Sequence, residues 1–433
     1  MVSEMDEITR AGRPRVVVLG AGFAGYHCLR RLERRLPADT AEVIAVNPAD
    51  YMLYVPLLPE VTAGVLAPRQ VAVPLRTRLP RTRLVLGTVT SLDLDERTCS
   101  VADVEGRPRA VRYDRLVITC GSVTRLLAVP GVAEHAMGFK SVAEALYLRD
   151  HILRQLELAE QCDDDDERAA RLTFVVVGAG YTGTEVAAQG ALLTQRALRH
   201  RPRLRGHQAR WVLLDLASRV LPGLDAGLSG PAATVLRQRG VDIRLGQTVS
   251  EVTGDRVVTS DGTKLPAHTV VWCVGTWPDP LISSLGLPTD HGRLVVDERL
   301  AVPGHPGVFA AGDVAAVPDL TRPGAITAMT AQHAQRQGKR AADNVAASLG
   351  RGRARAYKHH DLGFVVDLGG WQAVANPLGV RLSGPAAQVV TRGYHLLALP
   401  AGRLRVATDW IDGRLARPST VQFGLVPEPR LKP

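Results

Sequence analysis

Residues 16–25 read Val-Val-Val-Leu-Gly-Ala-Gly-Phe-Ala-Gly, and residues 174–183 read Phe-Val-Val-Val-Gly-Ala-Gly-Tyr-Thr-Gly. Each is a short apolar run closed by spaced glycines: Gly20, Gly22 and Gly25 in the first, Gly178, Gly180 and Gly183 in the second. The run suits a parallel strand buried on both faces. In such a triplet the first glycine permits a tight turn. The second lets the backbone approach a pyrophosphate, and the third lets the following helix pack closely on the strand. The diphosphate then rests on free N–H groups at the helix N-terminus. One triplet alone is a weak signal, because any glycine-rich strand-to-helix turn can carry it. Two copies imply two nucleotides, held close enough to pass electrons.

The elements around each loop must place the rest of a nucleotide. After the first loop comes a helix over Tyr26–Arg35, then a strand from Glu42 to Val46 that ends at Asn47. This fold usually closes its second strand with Asp or Glu, which holds an adenosine ribose. Asn47 accepts one hydrogen bond without a charge; the plainer alternative is a turn before Pro48. In the second copy the strand Arg210–Leu214 ends at Asp215. An acid there holds both hydroxyls of an unphosphorylated ribose and repels a 2′-phosphate, which predicts NADH over NADPH. Asp215 comes later than the usual spacing of about 20 residues. The extra length is the basic stretch Arg196–Arg210, expected to be a surface insertion. Glu185, just past Gly183, suits a nicotinamide amide or a proton path; it also suits an ordinary helix-start acid.

Tyr113–Gly121 predicts a strand ending in a small-residue turn that lets the chain cross beside a nucleotide. Thr-Val-Val-Trp-Cys-Val-Gly, closing at Val274 and Gly275, repeats it, so whole nucleotide domains are duplicated. Cys120 and Cys273, in these two turns, are expected to be small packing residues. Gly307–Asp313 predicts a strand ending at Gly312 and Asp313, an acid placed for the sugar-like chain of a flavin or for a helix cap. A helix then starts at Thr330, with Gln332 and Arg336 on one face. Residues 53–58, Leu-Tyr-Val-Pro-Leu-Leu, either line a pocket or fill core. Residues 82–96 suggest two short strands around Gly87. Ser141–Glu160 predicts a helix with Leu148, Ile152 and Leu156 on its apolar face. Asp163–Asp166 suggests a solvated loop rather than a metal site, since no histidine or spaced glycine accompanies it.

From about residue 351 the texture changes. Strands are expected over Leu362–Asp367 and Trp371–Val374, and helices over Ala386–Leu399 and Arg403–Leu415. In the last helix Leu404, Ala407, Ile411 and Leu415 share a face, with Trp410 beside them and Arg403, Arg405 and Arg414 nearby. That combination suits a helix lying in a membrane interface. The other reading is a packing surface, within the chain or in a homodimer.

With 53 basic and 43 acidic residues among 433, the net charge is +10, which favours an anionic partner. Aromatics are few and no nucleic-acid module is visible, so a nucleotide or a membrane surface is expected rather than nucleic acid. The five cysteines form no CxxC pair, which fits a reducing, cytoplasmic compartment. Met1–Arg15 lacks the apolar segment of a secretion signal, and no run of about 18 apolar residues spans a membrane.

Together the two glycine loops, Tyr113–Ser122, Gly178–Glu185, Asp215, Gly307–Asp313 and Ala331–Gly338 resemble the type II NADH dehydrogenases. These are non-pumping NADH:quinone oxidoreductases of the two-dinucleotide-domain flavoprotein class. Gly379–Gly384 and Val421–Val426 resemble that family's C-terminal pattern. The resemblance implies an α/β fold: two Rossmann-like domains, one for FAD and one for NADH, plus a C-terminal α+β region with amphipathic helices. The FAD domain would take 14–125 and 290–350, the NADH domain 126–289, and the membrane-associating or dimerising region 351–433.

The resemblance implies FAD on Gly20, Gly22, Phe23, Ala24 and Gly25, with Asn47 at the ribose and Val89 near the adenine. Pro56 and Leu57 would lie near the flavin ring, Cys120 and Gly121 at the crossover, and Gly312 and Asp313 at the ribityl chain. Ala331 and Gln332 would flank the ring. NADH would lie on Gly178, Gly180, Tyr181, Thr182 and Gly183, with Glu185 near the nicotinamide, Asp215 at the ribose, and Val274 and Gly275 closing the site. Quinone would meet the flavin near Gln332, at the cytoplasmic face of a membrane touched by the tail; Glu185, Gln332 and Arg336 would be the catalytic set, with no metal. Arg336 stands where the family's quinone helix has a second glutamine, and Asn47 where it has an acid. A soluble reductase passing electrons to a ferredoxin would share both nucleotide sites. A non-enzymatic NADH sensor would need neither turn at Gly121 nor Asp313.

Overall fold

The computed structural model describes residues 12–415, 420–428 and 431. Residues 1–11, which contain most of the Met1–Arg15 segment, lie outside the described residues, as do the side chains of Arg414 and Leu415.

From the N-terminal side come β1 (Arg15–Leu19), α1 (Phe23–Arg35), β2 (Glu42–Asn47) and a short α2 (Leu58–Thr62). Next are β3 (Arg83–Asp93), β4 (Thr98–Asp103), β5 (Pro108–Arg112) and β6 (Arg115–Ile118). They are followed by α3 (Val142–Gln161), β7 (Thr173–Val177), α4 (Tyr181–Leu198), β8 (Arg210–Asp215), β9 (Val241–Leu245) and β10 (Thr269–Trp272). The later part holds β11 (Val308–Ala310), α5 (Ala331–Ser348), β12 (Val365–Asp367), β13 (Ala373–Ala375), α6 (Gly384–Ala398) and α7 (Arg403–Leu415).

These elements gather into two compact units. One takes the chain up to Leu53, Ala72–Val123 and Trp277–His360; the other takes Tyr54–Val71, Thr124–Thr276 and the chain from Asp361 onward.

In the first unit a seven-stranded sheet runs in the order β11-β6-β1-β2-β3-β4-β5. β1 is parallel to both neighbours, Val16 facing Val43 of β2 and Arg115 of β6. Three adjacent valines explain the strand: β-branched side chains fit a pleated surface covered on both sides, and Val16, Val17 and Val18 are all fully buried. Residues 82–96 do not form two strands. β3 is one strand of 11 residues that pairs with β2 along its first half and with β4 along its second. Gly87 sits at the changeover, where a Cβ would come within 2.5 Å of the Ala102 carbonyl oxygen. The glycine marks a close backbone approach, not a break.

In the second unit four strands run β9-β8-β7-β10, all parallel. β7 stands between β8 and β10 as β1 stands between β2 and β6. Phe174 of β7 stacks on Trp211 of β8 with ring centroids 4.8 Å apart. α3 begins at Ser141, whose hydroxyl accepts from the Glu144 N–H while the Glu144 carboxylate accepts from the Ser141 N–H. That reciprocal capping box fixes its start, and Leu148, Ile152 and Leu156 are fully buried. The acidic run after it is not a plain loop. Asp164 accepts from the N–H groups of Asp166 and Glu167 and starts a helix over Asp165–Arg171, where its charge also suits the positive end of the helix dipole.

Residues 53–58 are divided by the unit boundary. Leu57 and Leu58 are core, as is Tyr54, whose hydroxyl bonds His395 at 3.1 Å. The basic stretch before β8 is only partly surface: Arg201 is buried, donating to the Ala197 carbonyl and pairing with Glu157.

The tail packs as part of the second unit. β12, β13 and Leu382–Ser383 make a small antiparallel sheet under α6. α7 turns differently from the pattern expected of it. Trp410 is 5% exposed and Val406 is fully buried, whereas Leu404 is 83% exposed and Ile411 56%. Trp410 faces inward because its indole N–H donates to the buried Glu60 carboxylate. It is not part of an exposed apolar face.

Candidate functional site

The two glycine loops solve the same geometric problem with the same contacts. Gly20 has φ +84°, and a Cβ there would come within 2.5 Å of the Thr119 carbonyl. Gly178 has φ +104°, and a Cβ would come within 2.3 Å of the Cys273 carbonyl. Only glycine occupies such positions without strain. A Cβ on Gly25 would lie 1.8 Å from the Gly20 oxygen, and one on Gly183 would lie 1.8 Å from the Gly178 oxygen. The helix therefore starts in direct contact with its own turn. The middle glycines differ: a Cβ on Gly22 or Gly180 would meet nothing within 4 Å. They face open space, and each is an N-cap with no side chain to make a capping bond. Uncapped N–H groups beside open space are what a diphosphate needs.

The residue closing each second strand holds the loop. The Ala21 N–H donates to Asn47 Oδ1 at 2.7 Å, and the Ala179 N–H donates to Asp215 Oδ2 at 2.5 Å. Their second polar atoms have opposite roles. Asn47 Nδ2 donates to the Ala49 carbonyl at 2.7 Å, while Asp215 Oδ1 accepts from the Ala217 N–H at 2.7 Å.

In the first unit Gly312 (φ +80°) and Asp313 follow β11. Asp313 Oδ2 accepts from the Ser122 hydroxyl at 2.6 Å, next to the Gly121 turn (φ +82°). Gln337, buried on α5, ties these pieces together: its Oε1 accepts from the Gly312 N–H at 2.8 Å and its Nε2 donates to Thr327 Oγ1 at 2.9 Å. Gly338 lets α5 cross α1, since a Cβ there would lie 2.0 Å from the Ala24 oxygen. Helical spacing singles out Gln332 and Arg336 and by itself assigns Gln337 no role. Its signal was the pairing with Gly338 on the buried side of the helix.

Ala331, Gln332 and Arg336 all lie in the first two turns of α5, half-buried. Arg336 turns back onto its own chain, donating to His359 Nδ1 at 3.0 Å and to the His360 carbonyl. His333, buried on the same helix, bonds the Tyr357 hydroxyl at 2.9 Å and is held down to about 4, first by burial and then by the neighbouring His359. Phe23 and Ala24 open α1, and Val89 lies half-buried on β3. Cys120 sits in its turn with burial pushing the thiol up, and burial pushes Cys273 up to about 12; all five cysteines are free. Pro56 and Leu57, in the turn Val55–Leu57, belong to the second unit rather than to the one with the first glycine loop.

In the second unit Tyr181 and Thr182 lead α4 and remain accessible, and Val274 and Gly275 (φ +83°) follow β10. Glu185 is different. It is 9% exposed, and its Oε1 accepts from the Asp367 N–H at 3.0 Å. Burial raises its carboxyl well above the usual range; the Asp367 N–H opposes that and the Asp367 charge adds to it.

A family model described as pyridine nucleotide-disulphide oxidoreductase matches residues 14–338. The chain is 34% identical to a type II NADH:quinone oxidoreductase of Mycobacterium tuberculosis, over 92% of this chain and 86% of that one. It is 30% identical to an internal alternative NAD(P)H-ubiquinone oxidoreductase of Arabidopsis thaliana mitochondria, over 92% and 84%. Its fold is similar to that of NDH2 from Plasmodium falciparum, solved in complex with NADH. The TM-score is 0.86, with 17% identity over 94% of this chain and 99% of that one.

Proposed function

We propose that this chain, which belongs to the type II NADH:quinone oxidoreductases of the pyridine nucleotide-disulphide oxidoreductase class, binds FAD in its first unit and takes electrons from NADH bound in its second. The acceptor is a quinone, and no proton is pumped. The observation that carries this is the matched pair of loops, each closed at its first and third glycine and open at its second.

The residues fit a flavin dinucleotide. Gly20, Gly22 and Gly25 leave a space beside uncapped N–H groups, and Asn47 keeps one acceptor on the loop. Asp313, fixed by Ser122, presents its carboxylate to the ribityl hydroxyls. Ala331 and Gln332, at the start of a helix set by Gln337 and Gly338, flank the ring. When bound, FAD supplies the hydride-accepting and electron-donating chemistry that no side chain here offers. NADH takes the second loop, with Asp215 on its adenosine ribose. The fixed negative charge there disfavours a 2′-phosphate.

The tail meets a membrane surface. Leu404 and Ile411 on α7, Val389 and Leu397 on α6, and Phe423 and Leu425 beyond are all more than half exposed. An exposed apolar set on a chain of net charge +10 suits an anionic lipid interface. Among the described residues no helix is long and apolar enough to cross a membrane; our reading is a peripheral contact, on the cytoplasmic leaflet.

The test is NADH oxidation by the FAD-loaded protein with a short-chain quinone, with an artificial dye as control. Rapid reduction of both is expected. Dye without quinone would move the acceptor to a protein such as a ferredoxin. For the tail, Leu404→Glu combined with Ile411→Glu should release the protein from anionic vesicles and leave dye reduction intact. Retained binding removes α7 from the interface, and a halved molecular mass in solution would make the same face a dimer contact.

A further inference from the structure

One side of α1 carries a row of cations that neither the glycine loop nor the sheet accounts for. His27, Arg30, Arg31 and Arg34 fall at i, i+3, i+4 and i+7, on one face of the helix. α5 crosses α1 at Gly338, and the next residue on α5, Lys339, reaches the same face. These five side chains line a cavity of about 260 Å³ within the first unit. The cavity belongs to the far part of the helix. At 1.5 Å per residue, Arg30 and Arg34 stand roughly 10 and 17 Å along the axis from Phe23, where the first glycine loop ends.

Like charges at these spacings repel, and few acids answer them. Asp343 of α5 accepts from Arg31 at 2.9 and 3.2 Å and from Arg35 at 2.8 Å. Glu33, the only acid on α1, is engaged elsewhere, accepting from the Arg81 N–H and the Thr82 hydroxyl. Among the described residues no acid pairs with Arg30, Arg34 or Lys339. Lys339 is held below the usual lysine range, first by burial and then by Arg336, Arg30, Arg31 and Arg34. Burial first, then Lys339 and Arg30, hold His27 down to about 3. Its Nε2 is buried without a hydrogen-bond partner among the described residues. The helix dipole accounts for Arg34 and Arg35, in the last turn of α1. It does not account for Arg30, or for a lysine brought in from another helix. Charge kept for solubility is interspersed in sign over a surface; here cations enclose a space.

We propose that this cavity binds a phosphate-bearing anion, taking a diphosphate or a phosphomonoester head. Guanidinium groups hold phosphate oxygens by paired, charge-assisted N–H bonds, and Arg30, Arg31 and Arg34 supply three of them along one face. Lys339 adds a compact charge from the second helix. His27 offers a ring nitrogen that lacks a partner, a donor in the tautomer protonated there. The volume lies below the roughly 300–1,000 Å³ of pockets that enclose a whole drug-sized ligand. The phosphate head therefore enters, and the rest of the molecule stays outside. A free phosphate compound and an anionic phospholipid present the same head chemistry. The inference does not depend on which acceptor the flavin reduces.

The experiment is a calorimetric titration of the full-length, FAD-loaded protein with pyrophosphate at fixed ionic strength, with NAD⁺ saturating so that the second glycine loop is filled. A parallel titration uses dihexanoyl phosphatidic acid, a soluble lipid, below its micelle concentration. A single site per chain is expected for at least one of the two probes. Arg30→Gln combined with Arg34→Gln should weaken it at least about tenfold, with visible flavin absorbance per protein at the wild-type level. Lys339→Gln, on the other helix, should weaken it about threefold or more, which keeps the test in force if the double variant folds poorly. Arg205→Gln combined with Lys264→Gln removes the same net charge from exposed positions of the second unit and should leave binding within about twofold. Pyrophosphate binding without lipid binding supports the site and assigns it to a free phosphate compound. Lipid binding without pyrophosphate binding supports it and assigns it to a headgroup. Binding of neither overturns the proposal. Equal weakening by the distant pair overturns it too, since the anion would then answer only to the net charge of +10. Binding left unchanged by both cluster variants places the anion elsewhere and also overturns it.

Discussion

The first and second glycine loops are built alike up to a single atom. In both, the turn glycine lies against the backbone just past a neighbouring strand, Thr119 after β6 or Cys273 after β10, and the third glycine touches the first. In both, the N–H after the first glycine donates to the side chain that closes the second strand. The loops diverge at that side chain's other end, where Asn47 donates to a carbonyl and Asp215 accepts from an N–H. Holding the loop therefore needs one acceptor oxygen, which an amide provides as well as a carboxylate does. The charge is left over for the ligand. An asparagine in the first unit costs the loop nothing, and the acid in the second is free to select the ribose.

The largest effects should come from the shared part. Gly25→Ala and Gly183→Ala each place a methyl 1.8 Å from a carbonyl oxygen of their own turn. Neither turn can yield without losing the contact that shapes it, because the neighbouring atoms are backbone. Gly25→Ala should abolish flavin content, read as the visible flavin absorbance per protein. Gly183→Ala should keep the flavin and lose NADH-dependent dye reduction at any accessible NADH concentration. The opposite pairing would exchange the two ligands between the units, and loss of flavin in both would mean that the units do not hold their nucleotides independently.

A smaller effect is expected from making the second loop resemble the first. Asp215→Asn keeps an oxygen for the Ala179 N–H but sets an amide group against the Ala217 N–H. It also removes a charge-assisted bond to the ribose. Such a loss is typically about 1.5–3 kcal/mol, or roughly tenfold to a hundredfold in affinity. The KM for NADH should rise by about that factor, flavin content should stay at the wild-type level, and discrimination against NADPH should weaken. A KM for NADH that does not move would take Asp215 out of the ribose site.

The two glycine loops and the strands that carry them are legible in the sequence because local chemistry determines them. Apolar β-branched runs, positive-φ glycines and strand-end polar residues act within a few positions of one another, so a one-dimensional pattern carries them. What was missed depends on contacts from distant segments. Gly87 looks like a strand break until Ala102 is placed against it. Trp410 looks like an interfacial tryptophan until Glu60, far away in the chain, accepts its N–H. Gln337 looks like one polar residue among several until the Gly312 turn is seen to need it. Nothing in the helical spacing of α7 says which side of Trp410 meets a buried carboxylate, because periodicity identifies an apolar face and not its partner.

The subtlest probe runs the comparison in reverse. Asn47→Asp gives the first loop the second loop's side chain, but not its surroundings. The new carboxylate keeps the Ala21 N–H on one oxygen and turns the other toward the Ala49 carbonyl, where Asn47 now donates. Pro48 lies between residues 47 and 49, whereas Leu216 occupies the matching place after Asp215. A proline fixes its own φ at about −65° and restricts the residue before it, so the turn is hindered from rotating its next N–H into the position that Ala217 supplies. A charge-assisted bond to the ribose gains about 1.5–3 kcal/mol, and oxygen set against oxygen in a half-buried turn costs a similar amount. The net change in FAD affinity should stay within about threefold, which corresponds to less than 1 kcal/mol. Tightening beyond tenfold, measured by flavin titration of the apoprotein, would show that the asparagine is a handicap to flavin binding. Weakening beyond tenfold would mean that the amide donates to something the first loop needs, and the two loops would then differ by more than one atom.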